Sequence, residues 1–456
     1  MDGLMAGFAR VNITPAMGMP VAGYYKVRLA ERVLDELEAN VLALALGEAR
    51  MLLVSVDNLG MSQRRQDLLR GQIASHTGVE TEAVFIACTH THTGPMVDGD
   101  VDPALQDAYF SFLLALLVDA AGFALRDLKP ARMGWAQGQA PGIAFIRRYL
   151  MKDGTIRTNP GVNHPDVVGP IGQVDERVGV LRFDREGGET LVLAHFGVHP
   201  DTIGGCNISA DWPGFARRTV ERALEGTRCI VFNGAQGDIN HVNTAPAGGD
   251  LNDLTMDFDD VMRGYGHARH MGQAVAGAVL QVYAKVCYTP VHSLQAAQKV
   301  IRHPSNRPSP EELPMARLYN RLHQEHRDAE IPYQGMMLTT VVAEAERMLQ
   351  LENGPDEFAL RISVAAIGNV ALVGVPGEPF SGVGRAIKAA PGWAMVLPCC
   401  CVNGNEAYFP DMEAYQNGSY EVRSSIFKAG VGEAIAGEAL RMLDAIKETG
   451  GQIHVE

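Results

Sequence analysis

Short apolar, β-branched runs separated by longer helical patterns constrain this chain more than any other feature. The runs Val41 to Leu46, Met51 to Val56, Ala83 to Cys88, Leu191 to Val198, Cys229 to Phe232, Phe358 to Ile367 and Val370 to Val375 have the length of strands, with Gly, Pro or Asn at their borders. Helical patterns fill the gaps, at Ser62 to His76, Pro103 to Asp127, Trp212 to Leu224, Asp259 to Ala284 and Ser381 to Ala390. Asp211 before Trp212-Pro213 reads as an N-cap followed by Pro in the first turn. Such alternation predicts an α/β fold, with a mixed-sheet α+β arrangement as its variant: central sheets flanked by helices. With 456 residues, 46% of them hydrophobic, the chain can bury the core of one large domain. The segment 302–353 departs from the pattern, being charged, punctuated by Pro and helical in its second half. It is expected to be a helical excursion on the surface of a single domain spanning 1–456.

Polar residues capable of chemistry follow the apolar runs five times. Val56 is followed by Asp57-Asn58, and Cys88 by Thr89-His90-Thr91-His92-Thr93-Gly94-Pro95. Val198 is followed by His199-Pro200-Asp201, Phe232 by Asn233-Gly-Ala-Gln-Gly-Asp238, and Val375 by Pro376-Gly377-Glu378. Sites in α/β folds lie beyond the carboxyl ends of strands, so these positions are expected to converge on one rim. His90 and His92, two apart in an extended segment, point to the same side and can present two imidazoles to one centre. With His199 and Glu378 they make a nitrogen and oxygen donor set suited to catalytic Zn²⁺, one ion per chain; structural zinc prefers thiolates. The Gly-rich turn from Asn233 to Asp238 lacks the endings of a phosphate-binding loop and reads as a tight turn lining the pocket. His195, inside an apolar run, reads as a satisfied core histidine.

A formal net charge of −14 argues against nucleic acid or an anionic membrane surface as the main partner. The first residues show no basic stretch leading into an apolar one, and no uninterrupted run reaches the ~18 apolar residues of a membrane span. A cytoplasmic protein without membrane insertion is the expectation. Seven cysteines, three of them adjacent as Cys399-Cys400-Cys401, fit neither a disulfide framework nor a zinc knuckle, and the trio reads as part of a buried strand.

Taken in order, Thr89-His90-Thr91-His92-Thr93-Gly94-Pro95, His199-Pro200, Val375-Pro376-Gly377-Glu378 and Tyr408 through Tyr420-Glu421 resemble the motifs of the neutral (non-lysosomal) ceramidase family's catalytic domain. The resemblance runs from Gly7-Phe-Ala-Arg-Val-Asn-Ile-Thr-Pro to about Arg423. It implies that His90, His199, Glu378 and Tyr408 bind one zinc, and that His92, Arg147 and Tyr420 address the scissile amide. Arg148 adjoins Arg147, and the sequence leaves open which of the two faces the site.

Two departures from the family stand out. Where the family places a Ser nucleophile after a Gly-Asp/Asn pair, this chain reads Gly237-Asp238-Ile239-Asn240, and an amide side chain is not a nucleophile. The family's C-terminal immunoglobulin-like domain is also not in this sequence. The expectation is therefore a zinc amidohydrolase acting on a soluble or modestly apolar N-acyl small molecule through metal-activated water. Arg147 and Tyr420 hold the carbonyl oxygen, His92 transfers the proton, Asn240 orients substrate or water, and Asp57 and Asp238 are carboxylates placed to fix histidine tautomers. The alternatives are a ceramidase-like binding protein without catalysis, true ceramide hydrolysis, and a metal-independent structural protein. The acyl and amine parts of the substrate and the oligomeric state are not legible.

Overall fold

In the computed structural model, which describes residues 3–246, 255–256 and 262–450, two β-sheets lie face to face and helices cover both outer sides. The larger sheet holds β1 (Met5–Asn12), β2 (Glu38–Leu46), β3 (Ala49–Val56), β4 (Val84–Cys88), β5 (Lys129–Gln139), β6 (Arg177–Arg185), β7 (Thr190–Phe196), β8 (Thr227–Asn233) and β9 (Cys287–Thr289). Their order is β8-β7-β6-β5-β1-β2-β3-β4, with β9 beside β5. The smaller sheet runs β10 (Leu294–Pro304), β11 (Glu357–Ile367), β12 (Val370–Gly374) and β13 (Met395–Cys399). Three neighbouring pairs are parallel, β3/β4, β7/β8 and β12/β13, and the other neighbours are antiparallel.

Strand alternation builds the layers. In β2, Leu42 and Leu44 point into the space between the sheets, where they meet Ile367 and Leu372 of the smaller sheet, while Val41 and Ala43 face the helices. The helices are α1 (Gln63–Thr77), α2 (Pro103–Arg126), α3 (Asp211–Ala223), α4 (Tyr265–Tyr283), α5 (Leu313–Gln324), α6 (Gly335–Leu351), α7 (Ser381–Lys388), α8 (Met412–Asn417), α9 (Tyr420–Ser424) and α10 (Val431–Gly450). α1 and α2 cover one half of the larger sheet, α3 and α4 the other, and α7 and α10 cover the smaller sheet. The mixed α/β class expected from the sequence is the class observed.

Several local expectations change. Asp211 is the first residue of α3 and does not cap it; in a left-handed conformation (φ 51°), its carboxylate accepts the backbone N–H groups of Thr202, Ile203 and Trp212. It thereby ties the loop after His199 to the helix. The helical pattern expected from Asp259 begins in α4 at Tyr265, and Asp259 itself lies outside the described residues. Residues 302–304, assigned to the helical excursion, close strand β10, which pairs with β11 over its whole length. Its Gln, Ala and Lys residues are weak strand formers, and the partner strand decides their conformation. α2, 24 residues with a mean hydropathy of 1.9 in its most apolar window, has the length and composition of a membrane span, yet sets Phe110, Leu113 and Leu117 into the core.

His195 lies in the core as expected, with Nε2 2.7 Å from the Pro398 carbonyl oxygen, but it is only half satisfied, because Nδ1 has no hydrogen-bond partner among the described residues. Burial, with a smaller contribution from Lys388, pushes its pKa down to about 3. The folded protein keeps it neutral while the unfolded chain protonates it near 6.5, so stability present above that pH is lost as pH falls towards 3. His195→Gln is expected to flatten the pH dependence of the unfolding free energy by up to ~1.4 kcal/mol per pH unit between pH 6 and 5. Equal slopes in urea titrations of the two proteins would contradict this.

Candidate metal centre

The carboxyl ends of the three parallel pairs are stitched together by backbone hydrogen bonds. Beyond β4, Thr89 N–H donates to Val56 O and His90 N–H to Asn58 O. Cys88 N–H reaches Cys401 O, Cys401 N–H reaches Gly377 O, and Cys400 N–H reaches Asn233 O, which joins the ends of both sheets. Gly237 has no room for a side chain, because a Cβ there would stand 2.6 Å from the Glu378 carbonyl oxygen. His90 itself has φ 72°, a left-handed backbone that costs a non-glycine residue free energy and recurs at functional sites.

Two imidazoles are oriented by main chain. His90 Nδ1 donates to Leu59 O at 2.8 Å, and His199 Nδ1 lies 2.9 Å from Gln236 O and 3.0 Å from Ile239 O. Each ring therefore carries its proton on Nδ1 and turns an unprotonated Nε2 towards Glu378, whose Oε2 is 3.3 Å from His90 Nε2 and 2.9 Å from His199 Nε2. Glu378 is buried, with its Oε2 at the point towards which both Nε2 atoms turn. Burial, followed by the Arg147 charge, lowers the pKa of His199. His92 completes a cluster in which one ring nitrogen from each of the three histidines lies within 4.8 Å of the others.

Tyr408 joins the group through the parallel pairing of Glu378–Pro379 with Tyr408–Phe409. Its ring centroid is 6.3 Å from that of His199, and burial followed by the Glu378 charge raises its phenol pKa. The structure thus brings His90, His199 and Glu378 together, with His92 and Tyr408 both beside them.

Arg147, not Arg148, faces this group. Its Nε donates to Glu421 at 2.7 Å and an Nη to Gly237 O at 2.7 Å, and its guanidinium carbon lies 5.3 Å from the Tyr408 ring centre and 5.9 Å from that of Tyr420. Burial opposes its charge, but Tyr408 and Glu421 more than offset this and raise its pKa. Arg148 turns away to Ser419 Oγ and the Phe380 ring.

Asp57 and Asp238 do not fix histidine tautomers. Asp57 is taken up by Arg217, Glu38 N–H and Thr89 Oγ1, and Asp238 by the N–H and hydroxyl of Ser381 at the start of α7. Backbone carbonyls perform that task, and a carbonyl leaves no mark in a sequence. The Asn240 amide donates to Asn159 Oδ1 at 2.9 Å, and its Oδ1 accepts Val242 N–H.

Sequence reasoning missed Tyr25, whose hydroxyl is 3.2 Å from that of Tyr420, and Cys401, whose Sγ is 3.4 Å from His90 Nδ1. Tyr25 sits in an N-terminal loop without periodicity. Its backbone oxygen is 3.0 Å from His323 Nε2 of α5, and it packs against Leu322, Val341 and Val342, so the helices of the excursion brace the site. A cavity of about 280 Å³ opens beside Tyr420, walled by Met336, Met337, Ile156, Asn159 and Arg423.

No family model matches the chain, and no curated protein matches it. Among solved structures it is similar to neutral ceramidase from Pseudomonas aeruginosa, at 19% identity and a TM-score of 0.74, over 100% of this chain and 76% of that one. A structure of ceramidase complexed with C2 aligns at 18% identity and a TM-score of 0.73, over 98% of this chain and 76% of the other. Four scattered motifs in the sequence and a superposition spanning the whole chain thus lead to one conclusion: this polypeptide has the fold of neutral ceramidase.

Proposed function

We propose that the chain is a zinc-dependent hydrolase of a linear amide bond in a soluble or modestly apolar N-acyl compound. The observation that carries this reading is the convergence of two carbonyl-locked imidazoles on one buried carboxylate oxygen. Neither His199 Nε2 nor Glu378 Oε2 has a hydrogen-bond partner among the described residues; buried polar atoms left in this way call for an ordered water or an ion, and an imidazole nitrogen beside a carboxylate oxygen suits a cation. Two nitrogens and a carboxylate oxygen, with Tyr408 beside them, form a donor set suited to zinc. When bound, zinc supplies Lewis acidity and lowers the pKa of water at the site towards ~7.

The chain's own residues do the rest. Arg147, fixed by Glu421 and Gly237 O, sets a permanent positive charge beside Tyr408 and Tyr420, where the oxygen of a reacting carbonyl gains negative charge. Tyr420, braced by Tyr25, donates a hydroxyl to the same oxygen. His92 moves the proton between water and the leaving amine. Asn240 offers no nucleophile and, through Asn159, supports the wall of the cavity beside Tyr420. That cavity, near the lower end of ligand-pocket volumes and lined by methionines, suits a compact apolar group.

Elemental analysis of the purified protein, paired with hydrolysis of N-acyl compounds of graded chain length and intact-mass measurement during turnover, tests the reading. About one zinc per chain, turnover of short and medium acyl amides and no acylated chain are expected. Absence of any transition metal after zinc reconstitution, or hydrolysis of long-chain ceramide in bilayers with no turnover of small amides, overturns it.

A further inference from the structure

His92 is held differently from the other two histidines. Their Nδ1 atoms are locked to backbone carbonyls, and both Nε2 atoms lie within 3.3 Å of Glu378. His92 Nδ1 instead stands 3.5 Å from Oδ1 of Asp201, two residues beyond His199, and the His92 side chain keeps 11% exposure. The same Oδ1 accepts the Tyr24 hydroxyl at 2.9 Å, and the Tyr24 ring lies 5.8 Å from the His92 ring.

The surroundings restrict the imidazole further. Gly23, at φ +109°, passes so close that a Cβ there would stand 2.6 Å from His92 Nδ1. Arg28 stacks on Tyr24 with its guanidinium carbon 3.8 Å from the ring centre, and it donates to the backbone oxygens of Ala22 and, at 2.8 Å, His92. His92 N–H in turn donates to Pro200 O at 3.1 Å, which keeps its backbone beside the Asp201 turn. The N-terminal loop and the turn after His199 therefore close around one ring.

We propose that Asp201 is a positioning residue for His92: its carboxylate accepts a hydrogen bond from Nδ1–H and leaves the unprotonated Nε2 facing the reacting amide, with Tyr24 aiming the carboxylate. This rests on the amidohydrolase reading. An imidazole oriented by an ionised side chain, with no carboxylate ligand against its Nε2, is placed to exchange a proton. At 3.5 Å the pair stands at the long end of hydrogen-bond reach, and catalytic hydrogen bonds of that length commonly tighten on substrate binding. Were His92 a third metal ligand, Asp201 would serve the metal, because carboxylate partners of ligating histidines contribute ~10–100-fold to metal affinity.

The two roles separate in one set of measurements on the full chain. Asp201→Asn is expected to lower kcat by ~10²-fold at nearly unchanged KM, with zinc affinity in competition with a chelator unchanged. Asp201→Glu should recover part of the loss, and Tyr24→Phe should lower kcat several-fold. In the zinc-free protein, ¹⁵N shifts of the His92 ring should report the Nδ1–H tautomer in wild type and its loss in Asp201→Asn. A 10–100-fold fall in zinc affinity, an unchanged kcat, or a His92 tautomer indifferent to the substitution overturns the proposal. If the wild type hydrolyses no N-acyl compound, the amidohydrolase reading fails, and the tautomer and affinity measurements still decide the role of Asp201.

Discussion

Replacing His90, His199 or Glu378 by Ala is expected to remove the metal and reduce hydrolysis to background, a fall of ~10³-fold or more. Lewis-acid stabilisation is worth several kcal/mol, and ~4 kcal/mol corresponds to about three decades in rate. The fold should survive, because these side chains stand beyond the ends of the two main sheets, whose strands the apolar layers hold. Glu378→Ala is the sharpest of the three, since Oε2 is the atom towards which both Nε2 atoms turn. Circular dichroism, metal content and initial rates on the three variants make the check. A variant that kept both full metal and full rate would strike its residue from the ligand set.

A second large effect concerns stability. Asp57 and Arg217 form a bidentate ion pair in which neither side chain is exposed, and Arg217 also lies 3.2 Å from Glu38. Removing one partner strands an uncompensated buried charge, so Arg217→Met should destabilise the protein by ~3–5 kcal/mol in urea unfolding. Arg217→Met combined with Asp57→Leu should recover much of that loss, because an apolar pair of similar volume does not carry the desolvation penalty of ions. A single-variant loss under ~1 kcal/mol would show that Asp57 protonates or that water reaches it.

The legible parts of this molecule are those with a side-chain signal. Val41 to Leu46 and Val370 to Val375 announced strands because both of their faces are buried, which produces uninterrupted apolar runs. The same property hid the two-sheet sandwich, since an unbroken run does not say whether a helix or another sheet lies on each face. β10 was invisible because its residues are half exposed and only its pairing with β11 makes it a strand. At the site, His90, His199 and Glu378 were found because each follows an apolar run. Tyr25 was not, since nothing in a loop near the N-terminus signals a partner almost four hundred residues away. Asp201 stood in view next to His199-Pro200, and only coordinates reveal that it turns back to His92.

The sheet sandwich also sets an order of events during synthesis. The larger sheet is finished by Thr289, yet the face that Leu42, Leu53 and Phe232 present to the interior is covered only by strands that end at Cys399. Until then a growing chain displays a broad greasy surface, the condition under which nascent proteins stick to one another and engage chaperones. The last site residues, Tyr408 and Tyr420, emerge later still. Contacts of such long sequence separation make folding slow. The completed site and protection from aggregation therefore arrive together, once the segment from Met395 to Tyr420 has emerged.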